Sequence, residues 1–253
     1  MASEKTLAMV LRVLDFSETS SIVTLFTRDF GKIGALDKGA RRPKGPFESA
    51  LDLLAISRIV FIAKSSDALD LLTEAKLERR FRGADRGLSC LYAGYYVAEL
   101  LNELTDLGDP HPELFDAADA ALADFCAGGR IGPALLHFEL TALRLLGHLP
   151  SLSACSECGR RVPAEGKVSF GLLTGGVLCT ACRGGRGQVV NVKASAIHTL
   201  AQLADPETDD WREVAMDRPA HMELRELMNR YISHLLGREP RLQSQIQGIW
   251  NDL

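Results

Sequence analysis

Four of the six cysteines fall in two Cys-x-x-Cys pairs, Cys155-Ser-Glu-Cys158 and Cys179-Thr-Ala-Cys182, with twenty residues between them. Each pair can form a tight knuckle that turns two thiolates toward one point, and the segment between returns as a hairpin. Gly159 and Gly175-Gly176 stand where such turns require them. This is the pattern of a tetrathiolate zinc site. Four protein ligands leave no open coordination position, so one structural Zn²⁺ per chain is expected and a catalytic ion is not. The other reading of these cysteines is a redox dithiol or disulfide, but the segment lacks a βαβ context and nothing points to export. Cys90 and Cys126 sit inside helical patterns and are expected in the core.

Zn²⁺ with four thiolates carries a formal charge of about −2. Arg160, Arg161, Arg183 and Arg186 lie next to the ligands in sequence. They serve either to offset that charge or to bind an external phosphate, and spacing alone leaves both readings open.

A second cluster is KGARRPKG, residues 38–45. Lys38, Arg41, Arg42 and Lys44 lie within seven residues, among Gly39, Pro43, Gly45 and Pro46, with no acidic residue between Asp37 and Glu48. Glycine and proline make this a loop. It reads as a solvated turn or as a contact for phosphates, binding salt-sensitively and without reading bases. The chain as a whole has a formal net charge of −4, but residues 1–82 carry +3 and residues 83–253 carry −7. The cationic loop therefore belongs to the one part that is not acidic.

Motifs for other chemistry are missing. There is no phosphate-binding Gly-x-x-x-x-Gly-Lys-Ser/Thr loop, no nucleophile elbow and no His-Glu-x-x-His, so no catalytic site is expected. No apolar run reaches the roughly 18 residues of a membrane span and no secretory leader is recognisable, so a cytoplasmic protein is expected.

The elements that must position these clusters divide the chain. Over residues 1–82, five segments read as short strands broken by turns: 7–14, 21–26, 32–38, 53–62 and 70–78. The fifth can also be read as the start of a helix around Leu69–Leu72. Five such strands suggest a small barrel of the OB type, whose faces and loops commonly bind single strands. From Asp85, taken as an N-cap, the period becomes helical through Leu104, then again after Pro112 and after Pro133. Tyr92, Tyr95 and Tyr96 read as helix packing rather than as base-stacking platforms. Residues 151–190 form a cysteine-rich insertion, followed by helical patterns from Val192 and from Arg218. The expected architecture is α+β and multidomain: an N-terminal five-stranded OB-fold β-barrel over 1–82, then a C-terminal helical domain over 83–253 carrying a four-cysteine, zinc-ribbon-like insertion.

The whole chain resembles the RecO family of bacterial recombination mediators. The resemblance is carried by VLRVLDFSETSSIVTLFTRDFGKIGALDKGARRPK (10–44), LYAGYYVAELLNEL (91–104), DPHPELF (109–115) and FELTALRLLGHLPSLSACSECG (138–159). It implies an OB-fold, a helical domain and a zinc-binding insertion with Cys155, Cys158, Cys179 and Cys182 as ligands, although some members lack the cysteines. It further implies a non-enzymatic role in DNA repair. Such proteins bind single- and double-stranded DNA, anneal complementary strands, and with RecR help load RecA onto DNA coated by single-strand-binding protein, whose acidic tail they also bind. Lys38, Arg41, Arg42 and Lys44 match the family's basic OB loop, and DNA contact is expected there. The alternative is an interaction scaffold in which the zinc ribbon and helices bind proteins and the loop is only a turn.

Overall fold

In the computed structural model of the chain, the described residues are 3–18, 20–38, 47, 49–64, 68–185, 187–206 and 210–249. They fall into two compact units, Met1–Ala127 and Gly128–Leu253.

The first unit begins with β1 (Ser3–Asp15), β2 (Ser20–Thr27) and β3 (Gly31–Lys38), an antiparallel meander, followed by β4 (Ile56–Ile62) and β5 (Asp70–Arg79). β5 runs antiparallel to β4, β4 pairs back onto β1, and a short parallel pairing of β5 with β3 closes a five-stranded barrel in the order β1-β2-β3-β5-β4. The segment from Asp70 is thus a strand, because its residues Leu72 and Ala75 fill the interior. Val10, Val23, Leu25, Ala35, Ile59 and Phe61 complete that core, with Phe30 edge-on to Phe61 at 5.4 Å.

Three helices follow: α1 (Gly83–Arg86), α2 (Leu88–Leu104) and α3 (Pro112–Ala127). Asp85 does not cap a long helix as its sequence context suggests. It lies inside the four-residue α1, and α2 starts only after Gly87, whose φ of +112° turns the chain between them. Tyr96 is fully buried in α2, while Tyr92 and Tyr95 are half-buried. Cys90 is buried as expected and Cys126 half-buried.

One buried cation ties this helical segment to the barrel. Lys32 of β3 donates through Nζ to the carbonyls of Asn102 and Thr105 at 2.6 and 2.5 Å, at the C-terminus of α2 where helix carbonyls lack partners. Burial lowers its pKa, against the pull of Asp106 and Glu103. The same connection crosses the start of β3 so closely that a Cβ on Gly31 would lie 2.1 Å from the Asp109 carbonyl oxygen.

The second unit comprises α4 (Ile131–Leu145), a small antiparallel sheet of β6 (Lys167–Gly171), β7 (Gly176–Leu178) and β8 (Val189–Lys193), then α5 (Ala194–Leu203), α6 (Arg218–Leu236) and α7 (Gln243–Gln247). β8 takes Val192 and Lys193 from the segment that reads as helical in sequence. Val192 is buried and pairs with Val168 of β6, and the helix begins at Ala194. α6 is capped at one end by Asp217, which accepts from Ala220 N at 2.8 Å, and at the other by Gly237 in the left-handed conformation. Arg225 of α6 donates to both oxygens of Glu139 of α4 at 2.6 and 2.7 Å, and through Nε to Asn229. Both charges of this pair are buried, so removing one leaves the other uncompensated. Tyr231 of α6 donates to the His148 carbonyl and stands edge-on to Phe170, anchoring the small sheet to the helix.

His221 lies one turn before Arg225 on α6, 1% exposed. Burial first, and then Arg225 and Arg130, lower its pKa to about 4. In the unfolded chain the imidazole titrates near 6.5, so between pH 6.5 and 4 the unfolded state binds more protons and folding weakens as pH falls. Denaturant unfolding at pH 7 and pH 5 should therefore show a loss of roughly 2 kcal/mol or less from this group. A His221→Gln variant should show a smaller loss over the same interval; an identical pH dependence would remove His221 as its cause.

Candidate metal centre and nucleic-acid interface

The chain reaches the first cysteine pair by way of Ser151, which forms two backbone bonds with the β6–β7 turn: Ser151 N to Gly175 O and Val177 N to Ser151 O, both 2.9 Å. Gly175 and Gly176 both have positive φ, and a Cβ on Gly176 would lie 2.6 Å from Ser151 O, so only glycine admits this approach. Ser156 N then donates to Val177 O, fastening the first knuckle to the strand that leads into the second. Within the first knuckle Gly159 N bonds to Cys155 O with Gly159 in the left-handed region. In the second, Cys182 N and Arg183 N both bond to Cys179 O.

These anchors bring all four sulfurs within 4.8 Å of one another, with Cys158 Sγ and Cys179 Sγ 3.8 Å apart. Tetrahedral zinc–thiolate geometry with bonds near 2.3 Å places sulfurs about 3.8 Å apart, so the pocket fits one ion of that kind. Burial drives the Cys155 thiol up, but hydrogen bonds from the backbones of Cys179, Cys158 and Glu157 outweigh it and hold it down at about 6. The Cys182 backbone lowers Cys179 in the same way, while Cys182, sharing its thiol with Cys179 and Cys158, is pushed up to about 12. The apolar packing around the sulfurs is Cys155, Leu178 and Cys179, with Val162, Cys182 and Val189 at the margin.

Arg160 and Arg161 are exposed on the first knuckle and Arg183 on the second, while Arg186 lies outside the described residues. In the barrel unit Lys38 is exposed at the end of β3, opposite Ser20 of β2. Arg41, Arg42 and Lys44 lie outside the described residues. Sequence patterns did not single out the exposed residues at the β1–β2 turn, Leu14 and Phe16, because a strand's outward face is known only once its register is.

The Ser151–Gly176 contact sets the ligand geometry. Gly176→Ala should therefore transfer bound metal to a chromophoric chelator faster than wild type, at unchanged total metal after reconstitution. Equal transfer rates would separate the contact from the site.

No helix among the described residues is long and apolar enough to cross a membrane. Two family models match the chain: recombination protein O N terminal over residues 1–81 and recombination protein O C terminal over residues 87–244. The chain is 44% identical to the DNA repair protein RecO of Rhodopirellula baltica, over 94% of this chain and 96% of that protein. It is 35% identical to the DNA repair protein RecO of Anaeromyxobacter dehalogenans, covering 94% and 93%, and 29% identical to that of Moorella thermoacetica, covering 96% and 90%. With both halves matched in order and nearly the full length aligned, the chain belongs to the recombination protein O family.

Proposed function

We propose that this protein is a DNA-binding recombination mediator that acts without chemical turnover. The observation that carries the reading is the cationic sequence leaving β3 of a closed five-stranded barrel, in a chain whose relatives are DNA repair proteins. Lys38, Arg41, Arg42 and Lys44 contact phosphates of single- and double-stranded DNA. Annealing needs no catalytic group: a cationic surface lowers the mutual repulsion of two strands and base pairing drives the rest. With RecR the protein promotes RecA loading onto DNA coated by single-strand-binding protein, in the cytoplasm. By sequence the division is an OB-fold over 1–82 and a helical domain over 83–253, with the metal-binding insertion at about 151–190, and the first three helices of that domain belong to the compact unit of the barrel.

The ion held by Cys155, Cys158, Cys179 and Cys182 is structural Zn²⁺, and the exposed Arg160, Arg161 and Arg183, with Arg186, balance its thiolate charge or add a second phosphate contact. Zinc supplies cross-linking here and no reactivity, since four thiolates leave it no exchangeable position. Purified protein should contain about one zinc per chain. Cys155→Ser should lower both zinc content and thermal stability, because ligand binding and local folding are linked. Metal analysis of reduced, chelator-free protein showing no zinc would contradict this.

The DNA reading is tested by salt dependence. Four phosphate contacts on a single strand give a slope of about −3 in log affinity against log salt. Arg41→Ala with Arg42→Ala should flatten it by about 1.4 and weaken binding equally across sequences, since phosphates carry no base information. Wild-type affinity and slope in the double variant would make the loop a solvated turn.

A further inference from the structure

The outer face of the barrel carries a row of aliphatic side chains. Leu14 pairs with Ile22, Ile22 with Leu36, Leu36 with Leu71, and Leu71 with Ile62, so one row crosses all five strands. The adjacent residues Val23, Ala35, Leu72 and Phe61 belong to the interior cluster. Since successive side chains on a strand point to opposite faces, the Leu14 row faces outward. Leu14 is 43% exposed and the other four are half-buried.

The row ends at the β1–β2 turn. There Phe16 N and Ser17 N both bond to Ser20 O, and Ser20 N bonds to Ser17 Oγ, which holds the turn tightly. Two residues beyond Leu14, this turn presents Phe16 at 63% exposure, the one aromatic among the strongly exposed large apolar residues described. A turn satisfied by serines has no folding need for an exposed phenyl ring. Cations stand on both sides: Arg12, exposed two residues before Leu14 on the same outward register, and Lys38, exposed and paired with Ser20. Asp15 and Glu18 are also exposed at the turn, so the patch is locally close to neutral. Its centre therefore offers contact to apolar, flat groups, with the two cations at its margins.

We propose that Phe16, with Leu14, Ile22 and Leu36 beside it, is a base-stacking platform for single-stranded DNA, with Arg12 and Lys38 holding the backbone at its two edges. The inference rests on the DNA-binding reading above and adds what that reading lacks, a contact to bases. Every base has a π-face, so the platform is tolerant of sequence. It is selective for strandedness, because the bases of a duplex are already stacked and offer no free face. A protein partner fits the patch less well: a stable interface takes about 800 Å² from each side, whereas this is a single row of mostly half-buried side chains ending in one ring.

The test is fluorescence anisotropy with three probes of equal length: an oligo-dT strand, the same strand with a central abasic run, and a duplex. Phe16→Ala should weaken oligo-dT binding by roughly tenfold, the alanine cost of one stacked base, and leave the salt slope and the abasic and duplex affinities at wild-type values. Phe16→Leu should resemble Phe16→Ala, since it keeps apolar bulk without a π-face. Phe16→Trp should restore oligo-dT binding and show indole quenching on binding beyond that of wild type. Unchanged circular dichroism and metal content establish that the variants fold. If wild type binds oligo-dT with a slope that the Arg41/Arg42 double variant flattens, but Phe16→Ala binds all three probes like wild type, the platform is overturned while the DNA reading stands. Wild type binding none of the probes overturns both. If Phe16→Ala loses only self-association in sedimentation, the face is a protein interface and the proposal fails.

Discussion

The barrel of the first unit depends on a short parallel ladder. Ala35, Leu36 and Asp37 of β3 pair with Asp70, Leu71 and Leu72 of β5, and without those pairs the sheet β3-β2-β1-β4-β5 would have two open edges. Open edges are templates for pairing with other chains, and closure removes them. It also sorts the side chains. Once β3 and β5 are locked in register, Ala35 and Leu72 must point inward, where they meet Val23 and Phe61, and Leu36 and Leu71 must point outward. The interior core and the outward aliphatic row are two sides of one registration. Lys38 follows from it as well, since the ladder to β5 ends at Asp37 while β3 continues to Lys38, opposite Ser20 beside the β1–β2 turn.

The second unit solves a different problem. Its helices bury ample apolar surface, with α4 alone placing Leu135, Leu136, Phe138, Leu140 and Leu143 in the interior, and they can hold the buried Glu139–Arg225 pair in one geometry. The cysteine-bearing segment cannot do likewise. Its local cluster has three fully buried residues, two of them cysteines, too small to repay the entropy of ordering two knuckles. Backbone bonds from Ser151 and Ser156 to the β6–β7 hairpin bring the ligands near one another. An ion bound there would supply what hydrophobic burial does not, and its binding would be linked to the local fold.

A division of labour follows for a nucleic-acid surface. Phosphate contacts give affinity and salt dependence, and they treat any strand alike. A ring exposed at a turn, the role proposed for Phe16, would distinguish exposed bases from paired ones.

Much of this is written in the sequence wherever the cause is local. The Cys-x-x-Cys spacing announces a metal site because two residues in one knuckle fix their own geometry, and the structure brings all four sulfurs together. The existence and order of β1 to β5 follow from alternation and turn residues, although β1 starts four residues earlier and β4 three residues later than the pattern suggests, and the resemblance to recombination protein O runs through contiguous stretches. Asp85 misleads because a local N-cap signal was overridden by the turn at Gly87, and β8 is hidden because two residues of a helical pattern are captured by pairing with β6. Nor does any local pattern join Leu14, Ile22, Leu36, Leu71 and Ile62, which are scattered along the first unit's sequence. Sequence alone determined which residues could bind metal or phosphate. Tertiary structure decided which strand faces look outward and what stands side by side on them, because strand register is set by long-range closure, and a slip of one residue would exchange every inside for an outside.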